Sequence, residues 1–449
     1  MDNCPTSLAK EQQSKPRVYQ KCSKRRKSEL IIDSDKLENK KQKLQICSFP
    51  NSFIAGVLSL RDDEMPMNVG HYVKDGIRFL NPYWSAYKAF AKARWVGRKL
   101  ADVYTDEFLT FSPHYFKAAC KMGRVYVNGV PMTNYNYVVQ NGDSIYHLCH
   151  RHEHPILDLP IKIVEETKDL LVINKPPSMP VHACGRYKLN TVIGLLLTEY
   201  KRAGLRVLHR LDRTTSGLLL LAKNYETDLK FKKTLKDGEW KKEYVCKVDG
   251  VFPEGEVVCE QPLGSLVPAM GIQCIREDGK FAKTVFKKVW SDGKTSIVRC
   301  FPETGRTHQI RVHLQYLGYP IVNDGYYNTY DWGAEKGKGA NYGKDVKQLS
   351  KDVADAHSQH HFNELVDPSY CERVEKIANG NVDLDFYLEK IKESNAEYDE
   401  ICFACHTKKK IPSLNHFMLH LHCVKYETSS WSFSTELPDW AKEPSVGSV

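Results

Sequence analysis

Residues 208–223 read LHRLDRTTSGLLLLAK, and the architecture of the chain is organised around them. Asp212 stands between Arg210 and Arg213. A small polar turn, Thr214 to Gly217, leads into five apolar residues, Leu218 to Ala222, closed by Lys223. A short apolar run introduced by a glycine turn suits a buried strand, although periodicity alone leaves a short helix open. A carboxylate on a loop beside a buried strand is held rigidly, and flanking cations favour its charged form. Such an aspartate can act as nucleophile or general base. On composition alone, a helix cap or a surface ion pair is the commoner fate of an acid between two bases.

The complete string decides between these readings. It resembles the catalytic motif of the RluA-type pseudouridine synthases, H-R-L-D-x-x-T-S-G-L-L-L-x-A, and matches every fixed position. The resemblance gives Asp212 the role of the essential catalytic residue. A second motif, TGRTHQIRVHL at 304–314, meets the family pattern T-G-R-x-H-Q-I-R-x-H in full. Read as a helix, it places Ile310, Leu314 and Leu317 on an apolar stripe and His308 and Arg311 on another face, with Gly318 as terminator. The resemblance implies that Arg311 pairs with Asp212 and that Arg306 and His308 lie near RNA. The strand-like Lys242 to Val248 matches K-x-Y-x-x-x-V-x-G and puts the family's active-site tyrosine on Tyr244. A buried strand, Asp169 to Lys175, broken by Pro176 and Pro177, resembles L-x-V-x-K-P and is followed by His182. With Arg210 and Arg213, the resemblance makes Lys175, His182, Arg306 and His308 the expected RNA contacts. One stretch departs from the family: where G-x-P-I-x-G-D-x-x-Y is usual, Gly318 to Tyr327 read GYPIVNDGYY.

Outward from these motifs, further elements are predicted. Asn190 caps an apolar helix, Glu226–Lys236 is a helix, and strands cover Ala282–Trp290, Thr295–Cys300 and Phe417–Tyr426. Upstream, a helix from about Ser112 to Lys121 precedes strand 124–127 and the Asn128-Gly129 turn. That unit resembles the S4-like RNA-binding domain that precedes many RluA-type catalytic domains. Residues 70–100 interleave Phe79, Tyr83, Trp84, Tyr87, Phe90 and Trp95 with lysines and arginines. They suit either an RNA surface or an amphipathic segment packed on a core. Residues 150–154, HRHEH, suit a polar, solvated linker more readily than the alternative of a metal site.

The 449 residues carry a net charge of +10 and are 41% hydrophobic and 27% charged, within the range of globular proteins. No apolar stretch nears the roughly 20 residues needed to span a bilayer. The 14 cysteines are scattered, without a secretory signal, which points to free thiols in a reducing compartment. Residues 1–48 hold 12 Lys/Arg against 6 Asp/Glu and read as a disordered basic tail, whose clusters at 24–27 and 40–43 suit either a bipartite nuclear import signal or a solvated tail making nonspecific phosphate contacts. Cys402 and Cys405 form a C-x-x-C pair, half of a zinc site without a clear second half, so no metal is expected. A deaminase is excluded: His361 to Glu364 read H-x-x-E rather than H-x-E, and no proline precedes Cys402.

The expected organisation is a tail (1–48), an aromatic, basic and S4-like region (70–150), a catalytic domain (161–330 plus 412–440) and an insertion (331–411). Residues 331–345 read as a loop and 383–395 as helical. The fold implied by the resemblance is α+β: a mixed, mainly antiparallel sheet with a central cleft. The implied reaction turns uridine in RNA into pseudouridine without cofactor. Its partner is tRNA, with the anticodon loop favoured, or else messenger or ribosomal RNA. The rivals are a catalytically silent RNA-binding protein or chaperone, and a scaffold. A monomer acting in the nucleus or cytoplasm, without membrane attachment, is expected.

Overall fold

The computed structural model describes residues 69–107, 112–357, 363–384, 386–387 and 398–443. The tail over residues 1–48 and the import signal expected in it lie outside these residues, as does most of the 383–395 segment. No helix among the described residues is long and apolar enough to cross a membrane.

The first unit carries β1 (Tyr83–Phe90), α1 (Leu100–Glu107), α2 (Tyr115–Lys121), β2 (Val125–Val127), β3 (Val130–Pro131) and β4 (Ser144–Arg151). Its sheet has the order β1-β4-β2-β3. Helix α2 starts later than expected. Ser112 accepts from the His114 N–H and so closes a turn before the helix instead of capping it. Much of the aromatic 70–100 stretch is core: Trp95, Trp84 and Tyr83 are buried, whereas Tyr87 and Phe90 are exposed. The linker expectation at 150–154 does not hold at its start, because His150 and Arg151 are buried at the end of β4.

The second part is built on β5 (Lys162–Glu166), β6 (Leu170–Lys175), α3 (Val192–Thr198), β7 (Ser216–Ala222), α4 (Tyr225–Lys236), β8 (Lys241–Asp249), β9 (Glu256–Cys259), β10 (Thr284–Ser291), β11 (Thr295–Pro302), α5 (Gln309–Leu317), α6 (Val346–Ala356), α7 (Tyr370–Asn379) and β12 (Leu421–Glu427). Its ten-stranded sheet runs β9-β10-β11-β8-β12-β7-β6-β5, with two short strands paired at the side. Every pairing is antiparallel except β7 with β12, which is parallel. The chain therefore folds as the mixed, mainly antiparallel α+β sheet implied by the resemblance.

The leucine run of 218–221 is the body of β7: it pairs along its length with β6, Ser216 and Gly217 before it pair with β12, and all four leucine side chains are fully buried. Gly217 is needed at its start. Its φ is +114°, and a Cβ there would lie 2.3 Å from the Cys423 carbonyl oxygen of β12. Asn190 is not the cap of α3. Thr191 is, accepting from the Gly194 N–H, while the Leu189 and Asn190 N–H groups donate to Glu153. The segment before α5 also differs from a continuous helix: His308 sits at φ +56° and the helix begins at Gln309. Gly318, at φ +85°, ends it as expected.

The insertion packs in two places. Leu349 and Val353 of α6 share a core with Val312, Tyr327 and Trp332, behind α5. Tyr370, Val374 and Ala378 of α7, with Ile401, share the core of the first unit. Lys117 and Lys121 of α2 donate to Asn379 and Gly380 at the end of α7.

Candidate active site

Asp212 lies in the loop that enters β7. Leu208 and Leu211 are buried and anchor that loop, which leaves the intervening Arg210 exposed and Asp212 half-buried. The Thr215 N–H donates to the Asp212 carbonyl at 3.2 Å and closes the turn. His209, inside the same motif, is structural. Its Nε2 accepts from the Leu220 N–H, its ring packs edge-on against Trp240 and Tyr426, and burial followed by Lys242 pushes it down to about 3.

Arg311 approaches Asp212 from α5, with Nη1 3.5 Å from Oδ2. Its main partner, however, is another acid. Nε donates to Asp324 Oδ2 at 2.7 Å and Nη2 to Oδ1 at 2.8 Å. This bidentate pair is buried: Arg311 is 5% exposed and Asp324 1%. Burial opposes the Arg311 charge, but Asp324 outweighs it and, with Asp212, holds the group above its ordinary value. Burial likewise opposes ionisation of Asp324, and Arg311 outweighs it, keeping that carboxyl below the usual range. Asp324 also accepts from the Tyr326 and Tyr327 N–H groups. The expected pairing of Arg311 with Asp212 is present through Nη1, and Asp324 joins it as a closer, bidentate partner that the sequence reading did not name. Two of its nitrogens belong to Asp324, and the third is what Asp212 meets. The signal lay in the departing 318–327 stretch, whose aspartate stands 13 residues after Arg311.

His308 puts Nε2 3.7 Å from Asp212 Oδ2 and Nδ1 2.8 Å from the Tyr327 hydroxyl. That hydroxyl also accepts from the Gln273 N–H at 3.0 Å, so the Tyr327 oxygen links His308 to the backbone at Gln273. Burial, then Arg311, pushes His308 down to about 4, so it is neutral near pH 7.

Tyr244 stands on β8 at an irregularity in the pairing with β12, between Glu243 and Tyr244. Such bulges re-aim a side chain. Its hydroxyl lies 2.7 Å from that of Tyr426, and burial, then Cys423, raises it well above the ordinary value, so the phenol stays protonated.

The expected RNA contacts divide. His182, Arg210 and Arg306 are exposed and Arg213 half-buried, within reach of a ligand. Lys175 is not. It is fully buried and donates to the carbonyls of Pro176, Met179 and Arg213 at 2.9, 2.9 and 3.2 Å. Burial pushes it down to about 7, against the pull of Asp212. Its place is under the loop that carries Asp212, where it holds the backbone one residue away. A cavity of about 470 Å³ lies beside Arg276, Lys280, Arg306 and Thr307 and does not include Asp212.

Residues 169–316 match the family model described as RNA pseudouridylate synthase. The chain is 51% identical over 438 residues to an uncharacterised Caenorhabditis elegans protein, covering 97% of this chain and 99% of that one. It is 34% identical to human pseudouridylate synthase RPUSD2, over 85% of this chain and 76% of that one. It is 37% identical to the mitochondrial tRNA pseudouridine(32) synthase of Saccharomyces cerevisiae, over 82% of this chain and 78% of that one.

Proposed function

The chain belongs to the RNA pseudouridylate synthase family and is an isomerase acting on uridine in RNA; we propose that its substrate is a transfer RNA, modified in the anticodon loop, with Asp212 as catalytic residue. The observation that carries the assignment of Asp212 is its environment. An exposed-edge carboxylate faces the one nitrogen of Arg311 that Asp324 leaves uncommitted. A surface ion pair needs no such buried clamp.

In the reaction the C1′–N1 bond of uridine breaks, the base turns, and a C1′–C5 bond forms. The proton on C5 leaves and N1 takes one up. Asp212 acts on the sugar, either as nucleophile at C1′ or as base toward a sugar proton. Arg311, held rigid by Asp324, fixes the orientation of that carboxylate. His308, with Nε2 3.7 Å from the same carboxylate, lines its other side. Tyr244 stacks on the base, and the nucleotide must leave its helical stack to reach it, which favours loops as substrates.

Support for tRNA comes from the yeast relative, whose name specifies nucleotide 32 of tRNA, within the anticodon loop. The first unit is read as an S4-like domain that adds affinity. Lys88 lies over Phe90 and Tyr146 beside the exposed Phe90 and Tyr87, a cationic and aromatic surface suited to RNA. The test is tritium release from tRNA transcripts carrying 5-tritiated uridine, followed by mapping of the product. One pseudouridine in the anticodon loop is expected. An inert tRNA beside reactive messenger or ribosomal fragments overturns the substrate, and no release from any RNA overturns the role of Asp212 in favour of simple RNA binding.

A further inference from the structure

The C-x-x-C pair and the histidine-rich end of β4 are 250 residues apart in the chain, yet the fold brings them together. Among the described residues, His150, His152, Cys402 and Cys405 offer four ligand atoms that all lie within 4.8 Å of one another. His150 Nδ1 is 3.2 Å from His152 Nε2 and 3.2 Å from Cys405 Sγ, and His152 Nε2 is 3.3 Å from Cys405 Sγ. A tetrahedral ion with Zn–N near 2.0–2.1 Å and Zn–S near 2.3 Å spaces its ligand atoms by roughly 3.3–3.8 Å. The three edges among His150, His152 and Cys405 stand at 3.2–3.3 Å, a few tenths of an ångström inside these spacings, and Cys402 Sγ lies within 4.8 Å of all three.

The donor set and its surroundings agree with an ion there. Two thiols and two imidazoles make the Cys₂His₂ set of closed structural zinc sites, with no position left open for chemistry. His150 lies in β4 and His152 one residue beyond its end, and their ring nitrogens converge to 3.2 Å. Cys402 to Cys405 form a tight turn, with the Cys405 N–H donating to the Cys402 carbonyl at 3.0 Å. The Asp399 N–H donates to Cys405 Sγ at 3.3 Å, an outer contact that favours a thiolate. Asp399 itself is locked by Arg124, whose Nη1 and Nη2 donate to it at 2.9 and 2.7 Å. The site is thus preorganised from both sides.

We propose that His150, His152, Cys402 and Cys405 bind one structural zinc ion that clips the insertion to the first unit. Binding releases two thiol protons to solvent and gives a site of zero net charge, which is tolerable in its partly buried place. The polar linker and the half site of the sequence are then two halves of one centre. The ion takes no part in isomerisation, because its four ligands leave no open position.

The experiment is elemental analysis of the full chain, purified under reducing conditions from zinc-supplemented medium. About one zinc per chain is expected, retained in Asp212→Asn and lost in Cys405→Ser and His152→Ala. His152→Cys, which makes a Cys₃His set equally able to hold zinc, is expected to keep the ion, and this separates ligand loss from unfolding. Replacement by cobalt is expected to give the visible spectrum of a tetrahedral thiolate complex. A zinc-free wild-type chain, a Cys402–Cys405 disulfide in its place, or undiminished zinc in Cys405→Ser overturns the proposal.

Discussion

Two buried arginine–aspartate pairs divide the work of this molecule, and they differ in how the guanidinium is gripped. Arg124 meets Asp399 end-on, through Nη1 and Nη2, with 2% and 3% of the two side chains exposed. Arg311 meets Asp324 side-on, through Nε and Nη2. The end-on pair leaves only Nε, which is buried without a hydrogen-bond partner, so the charge is spent on holding the insertion against the first unit. The side-on pair leaves Nη1 facing Asp212. The same two residue types therefore make a clamp in one region and a clamp with a free donor in the other. Which one forms depends on the face of the fork that the carboxylate occupies.

The sharpest way to break this contrast is at Asp212. Asp212→Asn keeps the shape and removes the carboxylate. Turnover is expected to fall by at least about a hundredfold, with RNA affinity and thermal unfolding unchanged. Tritium release and filter binding on the same preparation decide it, and turnover of more than a few percent of wild type refutes the role. The next test compares the clamps directly. Asp324→Asn and Asp399→Asn each leave an arginine buried beside a neutral amide, so each is expected to cost about 3–5 kcal/mol in denaturant unfolding. Only Asp324→Asn is expected also to lower kcat of the folded fraction, because Arg311 is then free to turn onto Asp212. An equal loss of kcat in Asp399→Asn ends the distinction.

Smaller effects sharpen the site side of the comparison. Tyr244→Ala is expected to lose base stacking of about 1–3 kcal/mol, read as a fall in kcat/KM. Tyr244→Phe keeps the ring and loses only the contact with Tyr426, about 1 kcal/mol of stability. A Phe variant as inactive as Ala shows that the hydroxyl, not the ring, matters. A further test concerns Lys175, through pH dependence rather than turnover. Its folded value is pushed down to about 7 from an ordinary 10.5. Between these pH values the unfolded chain binds a proton that the native chain does not, so this residue makes stability rise with pH. The cost of burying its charge is fully present below pH 7 and relieved toward 10.5. The stability of wild type relative to Lys175→Met is therefore expected to increase from pH 6.5 to pH 9.5 in urea titrations. A flat or falling difference shows that the three carbonyls hold Lys175 charged throughout.

The elements that read clearly in the sequence are those whose information is local. The helix expected over Glu226–Lys236 and the Gly318 terminator of α5 each depend on neighbours a few residues away. Local periodicity also misled in places. Residues 304–308 match a helix by pattern, but His308 takes a left-handed conformation that lets its ring reach Tyr327 and Asp212. Lys175 reads as a cation ready for phosphate, and only its depth beneath the Asp212 loop makes it a backbone support. Ser112 and Asn190 have cap chemistry, but neighbouring donors and acceptors claimed them.

By itself the sequence determined the family and the α+β class with its mixed sheet, and it named the residues proposed for the chemistry, because long contiguous motifs encode a loop, a strand and a helix together. Tertiary structure decided the partners. Arg311 is given to Asp324 before Asp212, Gly217 is required by a strand about two hundred residues later, and two histidines at the end of β4 meet two cysteines 250 residues on. Those pairings are set by packing between elements distant in the chain. No local spacing carries that information, since loop-closure entropy rises only slowly with length and lets ligands and ion pairs be drawn from almost any separation.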